Sequence, residues 1–227
     1  MHVSFYGHSF FQVKLGEQTI LFDPFIQSSS DDPAMKRLVS CPVGVDDLKG
    51  ISMIFITSEV FDHFDKQSVE YLAEKWNATV VAHQSVLNEL KISPRLMRPI
   101  QTGSKLSVRG VSVEAQTAHY PQAFYPLGYK LTHNGESVYH AGDTDLSEYP
   151  STFTADVALL PIGGTITMDV VDAVKATKSL KPRIVIPMHY NTFSMIQASP
   201  EEFVQRIEKS ILKTKPVLLK PGESAEV

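Results

Sequence analysis

SMIFITSEVFDH, residues 52–63, is the stretch that decides how this sequence folds. An apolar run rich in Ile and Phe ends abruptly in Asp62-His63, and a helical pattern of apolar residues follows. A short apolar run of this kind predicts a buried strand. Polar side chains at the carboxyl end of such a strand face the crevice where ligands bind in layered α/β folds. We therefore expect Asp62 and His63 to belong to a functional site.

Three later segments end apolar runs with the same kinds of side chain. They supply His119, Asp143 and His189. Imidazole and carboxylate groups are the usual ligands of zinc and related cations in proteins. Together with Asp62 and His63, they predict that distant parts of the chain converge on one metal site.

Length, composition and charge limit the class of protein. The chain has 227 residues, 43% hydrophobic and 20% charged, which is ordinary for a soluble globular protein. Its formal net charge of −4 gives no electrostatic reason to bind nucleic acid. No linker or low-complexity segment interrupts it, so we predict a single domain over residues 1–227.

The only cysteine, Cys41, bears on the compartment of the protein. One cysteine excludes an intramolecular disulfide, which fits a reducing environment. Cys41 could be a nucleophile, but it precedes Pro42 with no histidine beside it, so a structural role is preferred. The sequence shows no secretory leader and no apolar run of 18 residues. We expect a cytoplasmic protein with no membrane partner.

In the first half, local signals predict strands followed by strand–helix units. Runs at 10–15 and 19–22 flank Gly16-Glu17-Gln18 and predict a hairpin. Asp65 can cap a helix. Apolar positions then recur at helical spacing in Val69, Leu72, Ala73 and Trp76. The polar segment over residues 26–50, which includes Ser28 to Pro33, fits either a loop over the site or an ordinary surface loop.

The second half repeats this order. Asn134-Gly135 predicts a hairpin between 128–132 and 137–140. Buried strands are expected at 155–161 and 183–187, a helix at 169–180, and a closing strand at 216–219. Ser199-Pro200 begins a last helix whose inward residues would be Phe203, Ile207 and Ile211. Two such halves predict an α/β (α+β) fold in which two sheets pack face to face between helices, a four-layer αββα sandwich.

The motifs in this order resemble those of the metallo-β-lactamase superfamily, in particular its uncharacterised metal-dependent hydrolases related to ascorbate-phosphate lactonases. The resemblance runs from end to end of the chain. It rests on FYGHS at 5–9, LFDPF at 21–25, AH at 118–119, YHAGDT at 139–144, LPIGG at 160–164, IPMHYNT at 186–192 and LKPGE at 219–223.

The resemblance also implies a ligand set. Members of the family carry H-x-H-x-D-H after a Thr and hold two metals that share a bridging Asp. The last Asp and His of this motif correspond to Asp62 and His63. The third-segment His of the family corresponds to His119, the bridging Asp to Asp143 and the last His to His189. The two leading histidines are missing here, because Ser58 and Val60 stand in their places.

This departure leaves one metal site with only His119 and Asp143 and the other with Asp62, His63, Asp143 and His189. Neither Ser58 nor Val60 replaces an imidazole, and Glu59 as a strand-end neighbour would point elsewhere. The first hypothesis is a hydrolase with one divalent cation, zinc in first place and Mn, Fe or Ni as alternatives. The competing hypothesis is a catalytically inactive homologue that acts as a binding or scaffold protein.

In the hydrolase hypothesis the catalytic residues are Asp143, His119 and Asp62. Asp143 would bind metal and orient water, and His119, still among the metal candidates, would contact substrate or transfer a proton. His8 and His140 lie in matching motifs and could support ligands or contact substrate. The kinship points to a small ester, lactone or phosphate-bearing substrate, and to a possible homo-oligomer.

Overall fold

The computed structural model describes residues 1–27, 33–147 and 153–227. Its strands form two seven-stranded mixed sheets. In chain order the strands are β1 His2–Phe5, β2 Phe11–Leu15, β3 Gln18–Phe22, β4 Met53–Phe55, β5 Thr79–Ala82, β6 Met97–Pro99, β7 Lys105–Val108, β8 Val111–Thr117, β9 Leu127–His133, β10 Glu136–His140, β11 Val157–Pro161, β12 Ile184–Met188, β13 Lys215–Pro216 and β14 Ser224–Glu226.

The two sheets follow the two halves of the chain. The first has the order β14-β1-β2-β3-β4-β5-β6, and the second has the order β13-β12-β11-β10-β9-β8-β7. Hairpins pair β2 with β3 and β9 with β10, and both predicted hairpins are confirmed. The strands from β3 to β6 and from β10 to β13 run parallel. In each sheet the carboxyl ends of the parallel strands therefore lie on the same side, where the loops that follow them can meet.

Helices cover the outer faces of the sheets. They are α1 Lys66–Trp76, α2 Gln84–Leu87, α3 Val170–Leu180 and α4 Pro200–Glu208, with short 3₁₀ turns at Pro33–Met35 and Pro94–Leu96. The first two helices pack on the first sheet, and α3 and α4 pack on β11 and β13 of the second. The resulting order of layers is helix, sheet, sheet, helix, and the αββα prediction is confirmed.

Successive side chains of a strand point to opposite faces of its sheet, and this alternation explains the layering. Ile54 of β4 packs in the apolar cluster with α1, whereas Met53 and Phe55 belong to the cluster between the sheets. Phe55 meets Tyr129 of the second sheet with ring centroids 5.1 Å apart, and the Tyr129 hydroxyl donates to the Ile56 carbonyl at 2.9 Å. Side chains on opposite faces of a strand bury different layers, so a three-residue strand joins both cores.

The last helix ends earlier than the sequence pattern predicts. Phe203 and Ile207 are buried as expected, but Ile211 is fully exposed, so its inward assignment is wrong. The helix stops at Glu208, and the Ser210 hydroxyl donates to the Ile207 carbonyl in the turn that follows. Apolar spacing alone did not reveal this turn.

The C-terminal segment also differs from the prediction. The closing strand is shorter and earlier, at Lys215–Pro216, and a further strand at 224–226 pairs antiparallel with β1. The first sheet is thus completed by the far end of the chain, a long-range pairing that local patterns do not encode. Residues 28–32 of the predicted 26–50 loop lie outside the described residues. Residues 33–50 are irregular apart from the 3₁₀ turn, as predicted for a loop. The single-domain assignment stays a prediction. No helix in the described part of the chain is long and apolar enough to cross a membrane.

Candidate metal centre

Turns at the ends of strands from both sheets carry the candidate ligands. His8 lies between β1 and β2, and Asp62-His63 follow β4. Asp143 follows β10, and His189 comes directly after β12. The Val60 carbonyl accepts hydrogen bonds from the amides of His63 and Phe64, both at 2.9 Å. This tight turn brings Asp62 and His63 side by side.

The side chains form one buried group. His8, Asp62, His63 and His189 each offer a ligand atom, and these four atoms lie within 4.8 Å of one another. The fifth member, Asp143, touches two of them: its Oδ2 lies 3.0 Å from Nε2 of His63 and 3.0 Å from Nε2 of His189. We call these five residues the metal group.

Asp23 orients the His63 ring from the opposite side. Its Oδ2 lies 2.8 Å from Nδ1 of His63 and accepts from the Thr57 hydroxyl at 2.6 Å. Its Oδ1 accepts from the Thr57 amide at 2.8 Å. A carboxylate that holds Nδ1–H leaves Nε2 for a metal, an arrangement typical of metal-binding histidines. The sequence did not predict this role, although Asp23 lies in the LFDPF motif at 21–25.

Electrostatics keep the two acidic members of the group ionised. Burial opposes ionisation of Asp143, but His189 and His63 outweigh it and hold the Asp143 pKa well below its usual range. For Asp62, burial is likewise outweighed by His63 and His8, and the pKa is lowered. Burial favours neutral His63, yet Asp143 and Asp23 raise its pKa well above 6.5.

His8 behaves differently from His63. Burial, followed by the nearby His189, lowers the pKa of His8 to about 4, against the opposing pull of Asp62. Its Nε2 lies 3.1 Å from Oδ2 of Asp62. A neutral His8 can donate one proton to Asp62 or offer a lone pair, but it does not offset the negative charge of the carboxylates.

The backbone at the site is strained. His8, Asp23 and His189 have φ of 58°, 43° and 56°, in the left-handed region that non-glycine residues rarely adopt. Such conformations persist where the surrounding structure fixes them, and they cluster at functional sites. His8 and His189 are fixed against each other, because the His189 amide donates to the His8 carbonyl at 2.8 Å.

Several buried polar atoms of this group are poorly satisfied. Oδ1 of Asp62 and Oδ1 of Asp143 have no hydrogen-bond partner, and Nε2 of His63 and Nε2 of His189 both face the single Oδ2 of Asp143, at 3.0 Å. Unsatisfied buried polar atoms are rare and costly, and two buried carboxylates are costlier still. Oxygen and imidazole donors aimed at one point are the donor set of a divalent cation, so the residues present fit a metal.

His119 does not lie in the metal group. Its side chain is exposed, and its backbone is held by the Thr144 hydroxyl, which accepts from the His119 amide at 2.9 Å. It lines an open cavity of about 650 Å³ with Tyr120, Asp145 and Thr167. The Tyr120 pKa is raised by burial and then by Asp143 and Asp62. The backbone connects the cavity to the metal group, because Thr144, whose hydroxyl holds the His119 amide, directly follows Asp143 in the chain.

The positions of the two missing histidines carry no substitute ligand. Ser58 is buried, and its hydroxyl accepts from the Val60 amide at 3.4 Å. Glu59 turns away, because its carboxylate accepts from the Phe124 amide in the loop that follows His119. The expectation that Glu59 would point elsewhere agrees with this contact.

His140 is a structural residue by its contacts. Its Nε2 lies 2.9 Å from the Ser9 carbonyl, and its Nδ1 accepts from the Gly142 amide at 3.1 Å. Both ring nitrogens are thus used by the backbone, and burial lowers its pKa. His140 fixes the turn that presents Asp143, whereas His8 reaches the metal group itself. The sequence signal for both was the same, a histidine within a matching motif.

An aromatic cluster borders the metal group on the His8 side. Phe25, Phe193 and Ile196 are buried together, with Phe61 packed against them. The His8 ring centroid lies 5.9 Å from that of Phe25 and 5.3 Å from that of Phe193. An apolar wall lowers the local dielectric and strengthens electrostatic interactions inside the site.

With the geometry established, comparison with known proteins assigns the family. Residues 2–189 match the model of a family described as "Beta-lactamase superfamily domain". The chain belongs to the β-lactamase superfamily. The family resemblance inferred from the motifs is therefore confirmed.

Two relatives of this β-lactamase superfamily member share one description. A "UPF0173 metal-dependent hydrolase" of Thermofilum pendens is 36% identical over 232 residues, covering 97% of this chain and 96% of the relative. A protein of the same description from Staphylothermus marinus is 35% identical and covers 98% of this chain and 97% of its own length. The solved structure of Igni18, "a novel metallo hydrolase" from Ignicoccus hospitalis, is 28% identical with a TM-score of 0.84, covering 99% of this chain and 97% of that one.

The chain is thus a member of a group of metal-dependent hydrolases, and the prediction of an enzyme is confirmed at that level. The ligand and catalytic roles assigned to individual residues stay predictions. The substrate also stays open, because this fold supports several chemistries.

Proposed function

We propose that the protein hydrolyses a small ester, lactone or phosphate-bearing molecule with one divalent cation held by Asp62, His63, Asp143 and His189. The observation that carries the proposal is the burial of these four side chains against one another: Oδ2 of Asp143 lies 3.0 Å from Nε2 of both histidines, and Oδ1 of each aspartate has no hydrogen-bond partner. When bound, a divalent cation supplies Lewis acidity, which acidifies water and polarises a carbonyl or phosphoryl oxygen. Zinc is the first candidate, and Mn, Fe or Ni would also suit two carboxylates and two imidazoles.

The residues of the chain have distinct roles in this proposal. Asp23 holds the His63 ring in the tautomer that presents Nε2. His8 supports Asp62 through the contact at 3.1 Å. The second oxygen of Asp143 can accept a hydrogen bond from water and orient it toward the substrate. Phe25, Phe61 and Phe193 supply an apolar, aromatic wall against the His8 ring.

The substrate would occupy the cavity of about 650 Å³ beside Tyr120. The exposed imidazole of His119 can contact the substrate there or exchange a proton with the leaving group. Thr165 and Thr167 offer hydroxyls, and Asp145 a carboxylate, for orienting a polar molecule. The proposed partner is thus a small molecule, with no role for nucleic acid or a membrane. A homo-oligomer and a cytoplasmic location remain part of the proposal.

The competing scaffold hypothesis is less well supported. Loss of function would remove the reason to retain two buried carboxylates among three imidazoles, since apolar residues of similar size would be less costly. Two relatives that match this chain over 96% and 97% of their own length are also described as metal-dependent hydrolases.

Metal content tests the ligand assignment. Protein purified without chelator should carry about one equivalent of a divalent cation, measured by elemental mass spectrometry, and should lose it in Asp62→Ala and His189→Ala. The His119→Ala variant should keep the metal but lose activity, because its ring lies outside the group. His133→Ala is the matched control, since His133 has no contact with the group. Two equivalents in the wild type, with one lost in His119→Ala, would contradict the single-metal site.

Activity is tested separately. The metal-loaded protein is screened over lactones, phosphodiesters and thioesters, with His189→Ala as the blank and circular dichroism to show that the blank is folded. Hydrolysis above that blank for one substrate class supports the proposal. Equal rates in the wild type and a folded, metal-free blank would argue against this site.

A further inference from the structure

A second cavity, of about 350 Å³, lies at the opposite end of the strands from the metal group and is lined by Arg95, Arg98 and Arg109. Its floor includes Thr79, the first residue of β5, which pairs with Met53 at the start of β4. The loop with Asp62 and His63 leaves β4 at its other end, after Phe55. This arginine cavity therefore lies outside the site described above.

The three guanidinium groups are anchored by neutral oxygens. Arg109 donates from Nη2 to the Asn77 carbonyl at 2.7 Å and from Nε to the Thr79 hydroxyl at 3.4 Å. Arg95 donates from Nη2 to Oδ1 of Asn77 at 3.3 Å. Arg98 donates from Nη1 to the carbonyls of Arg95 and Met97, at 3.0 and 2.7 Å. One residue, Asn77, thus holds two of the three arginines next to each other.

No carboxylate of the described residues forms an ion pair with these three arginines. The lining of the cavity contains neither Asp nor Glu. The contrast with the chain as a whole is sharp, since it holds 25 acidic against 21 basic residues. Half of its six arginines (37, 95, 98, 109, 183 and 206) meet at this one place.

The three side chains are exposed to solvent, so water and salt screen the repulsion between their charges. An anion placed between like charges would still lower that repulsion. Each guanidinium has five N–H donors in a planar fork, of which these contacts use only one or two. The fork matches the oxygen spacing of phosphate and binds it through two parallel hydrogen bonds. Hydroxyls of Thr79 and Ser107 border the same space.

We propose that the arginine cavity binds the phosphate group of a small molecule. Three arginines carry three positive charges, which exceed the single charge of a carboxylate and better match a dianionic phosphate or a diphosphate group. A volume of about 350 Å³ is at the lower end of the range for small-molecule sites, which favours a compact phosphorylated compound over a large cofactor. This site is independent of the metal group and does not rest on the proposed hydrolysis.

The structural alternative is that the arginines serve only as caps. Asn77 is the C-cap of α1, in the left-handed conformation, and its carbonyl accepts from Arg109. Cations near a helix C-terminus are favourable by themselves. A purely structural role would cost stability when the arginines are replaced, but it would produce no saturable anion binding.

The test is a titration of the full-length protein, treated with chelator to remove metal, with pyrophosphate, inorganic phosphate and adenosine monophosphate at low salt. Binding is followed by calorimetry and by ¹H–¹⁵N spectra of the Asn77, Thr79 and Ser107 amides. Arg95→Gln and Arg109→Gln remove a charged fork, and Arg109→Lys keeps the charge without the fork. Arg206→Gln is the matched control, because Arg206 is paired with Glu202 on the surface.

Saturable pyrophosphate binding that is weakened about tenfold or more by Arg95→Gln and by Arg109→Gln, and left unchanged by Arg206→Gln, supports the proposal. Tighter binding of adenosine monophosphate than of phosphate would identify a nucleotide-like ligand, and the reverse a free phosphate. Absence of saturable binding, an equal loss in Arg206→Gln, or full retention in both glutamine variants would overturn it. Binding of a single-stranded oligonucleotide without binding of pyrophosphate would also overturn it.

Discussion

At the scale of single residues, Asp23 has a contact that its sequence motif does not reveal. The quoted segment at 21–25 supported the family resemblance, but nothing in its letters connects Asp23 with His63, 40 positions away. The contact exists because β3 and β4 are parallel neighbours, so the turns at their ends lie side by side. In the same way His8 joins the metal group only because β1 and β2 place their turn near β12. The sequence predicted that Asp62, His63, Asp143 and His189 would lie together, but not which residues of other turns, such as Asp23 and His8, contact them.

Asp23→Asn should weaken metal binding without removing a ligand. The amide can no longer accept Nδ1–H of His63 as a carboxylate does, so the ring loses its fixed tautomer and orientation. Loss of such a supporting carboxylate typically lowers metal affinity about 10–100-fold. Competition with a fluorescent chelator measures the affinity. The same substitution at Asp169, which only caps α3, is the control, and unchanged affinity in Asp23→Asn would contradict the role.

Gly163→Ala should disturb the His189 turn. A Cβ at Gly163 would meet the His189 carbonyl oxygen and the Ile196 side chain closer than van der Waals contact allows. The backbone of His189 is already strained, so it cannot move without shifting the imidazole. We expect a destabilisation of about 1–3 kcal/mol from overpacking together with weaker metal binding.

Gly44→Ala is the matched control for that variant. A Cβ at Gly44 meets only the Asp47 carboxylate, at an ordinary 3.5 Å. Urea unfolding of both variants gives the stability change, and chelator competition gives the affinity. A Gly163→Ala protein with the stability and affinity of Gly44→Ala would show that the close approach to His189 is not required.

At the scale of elements, the first helix connects folding with the site. Capping by Asp65 was predicted, and its Oδ1 accepts from the Ser68 amide at 3.2 Å. The structure adds that Oδ2 accepts from the amides of Ile26 and Gln27, at 3.2 and 2.8 Å. The cap therefore also ties down the segment after Phe25, part of the aromatic wall. Local sequence signals identify a cap, but they do not reveal a second, distant segment that depends on it.

Asp65→Ala should cost more stability than removal of an ordinary cap. Loss of a capping side chain costs about 1 kcal/mol, and each amide left without a partner adds about 1 kcal/mol more. Asp169→Ala is the comparison, because Asp169 accepts only from the Asp172 amide, at 2.8 Å. The free energy of unfolding, measured in urea, should be about 2 kcal/mol lower for Asp65→Ala than for Asp169→Ala. Equal losses would mean that the bonds to Ile26 and Gln27 contribute nothing.

At the scale of the whole molecule, the metal group joins the two sheets. His8, Asp62 and His63 come from turns of the first sheet, and Asp143 and His189 come from turns of the second. The layered fold was predictable from the repeated order of strands and helices in each half. The pairing of the C-terminal strand with β1 was not, because strand pairing over the length of a chain leaves no local signature.

A cation bound by both sheets should stabilise the protein against global unfolding. At a free concentration of one hundred times Kd, one bound cation contributes about 2.7 kcal/mol, or roughly 5–10 °C in Tm for a chain of this size. Thermal unfolding of the chelator-treated protein, with and without added zinc, measures the shift. His189→Ala removes a ligand from the second sheet and Asp62→Ala one from the first, so both should abolish it, whereas His133→Ala should keep it. If zinc raised Tm equally in all three variants, the cation would bind elsewhere. If only one of the two ligand variants lost the shift, the cation would belong to a single sheet, and the proposed link between the layers would be wrong.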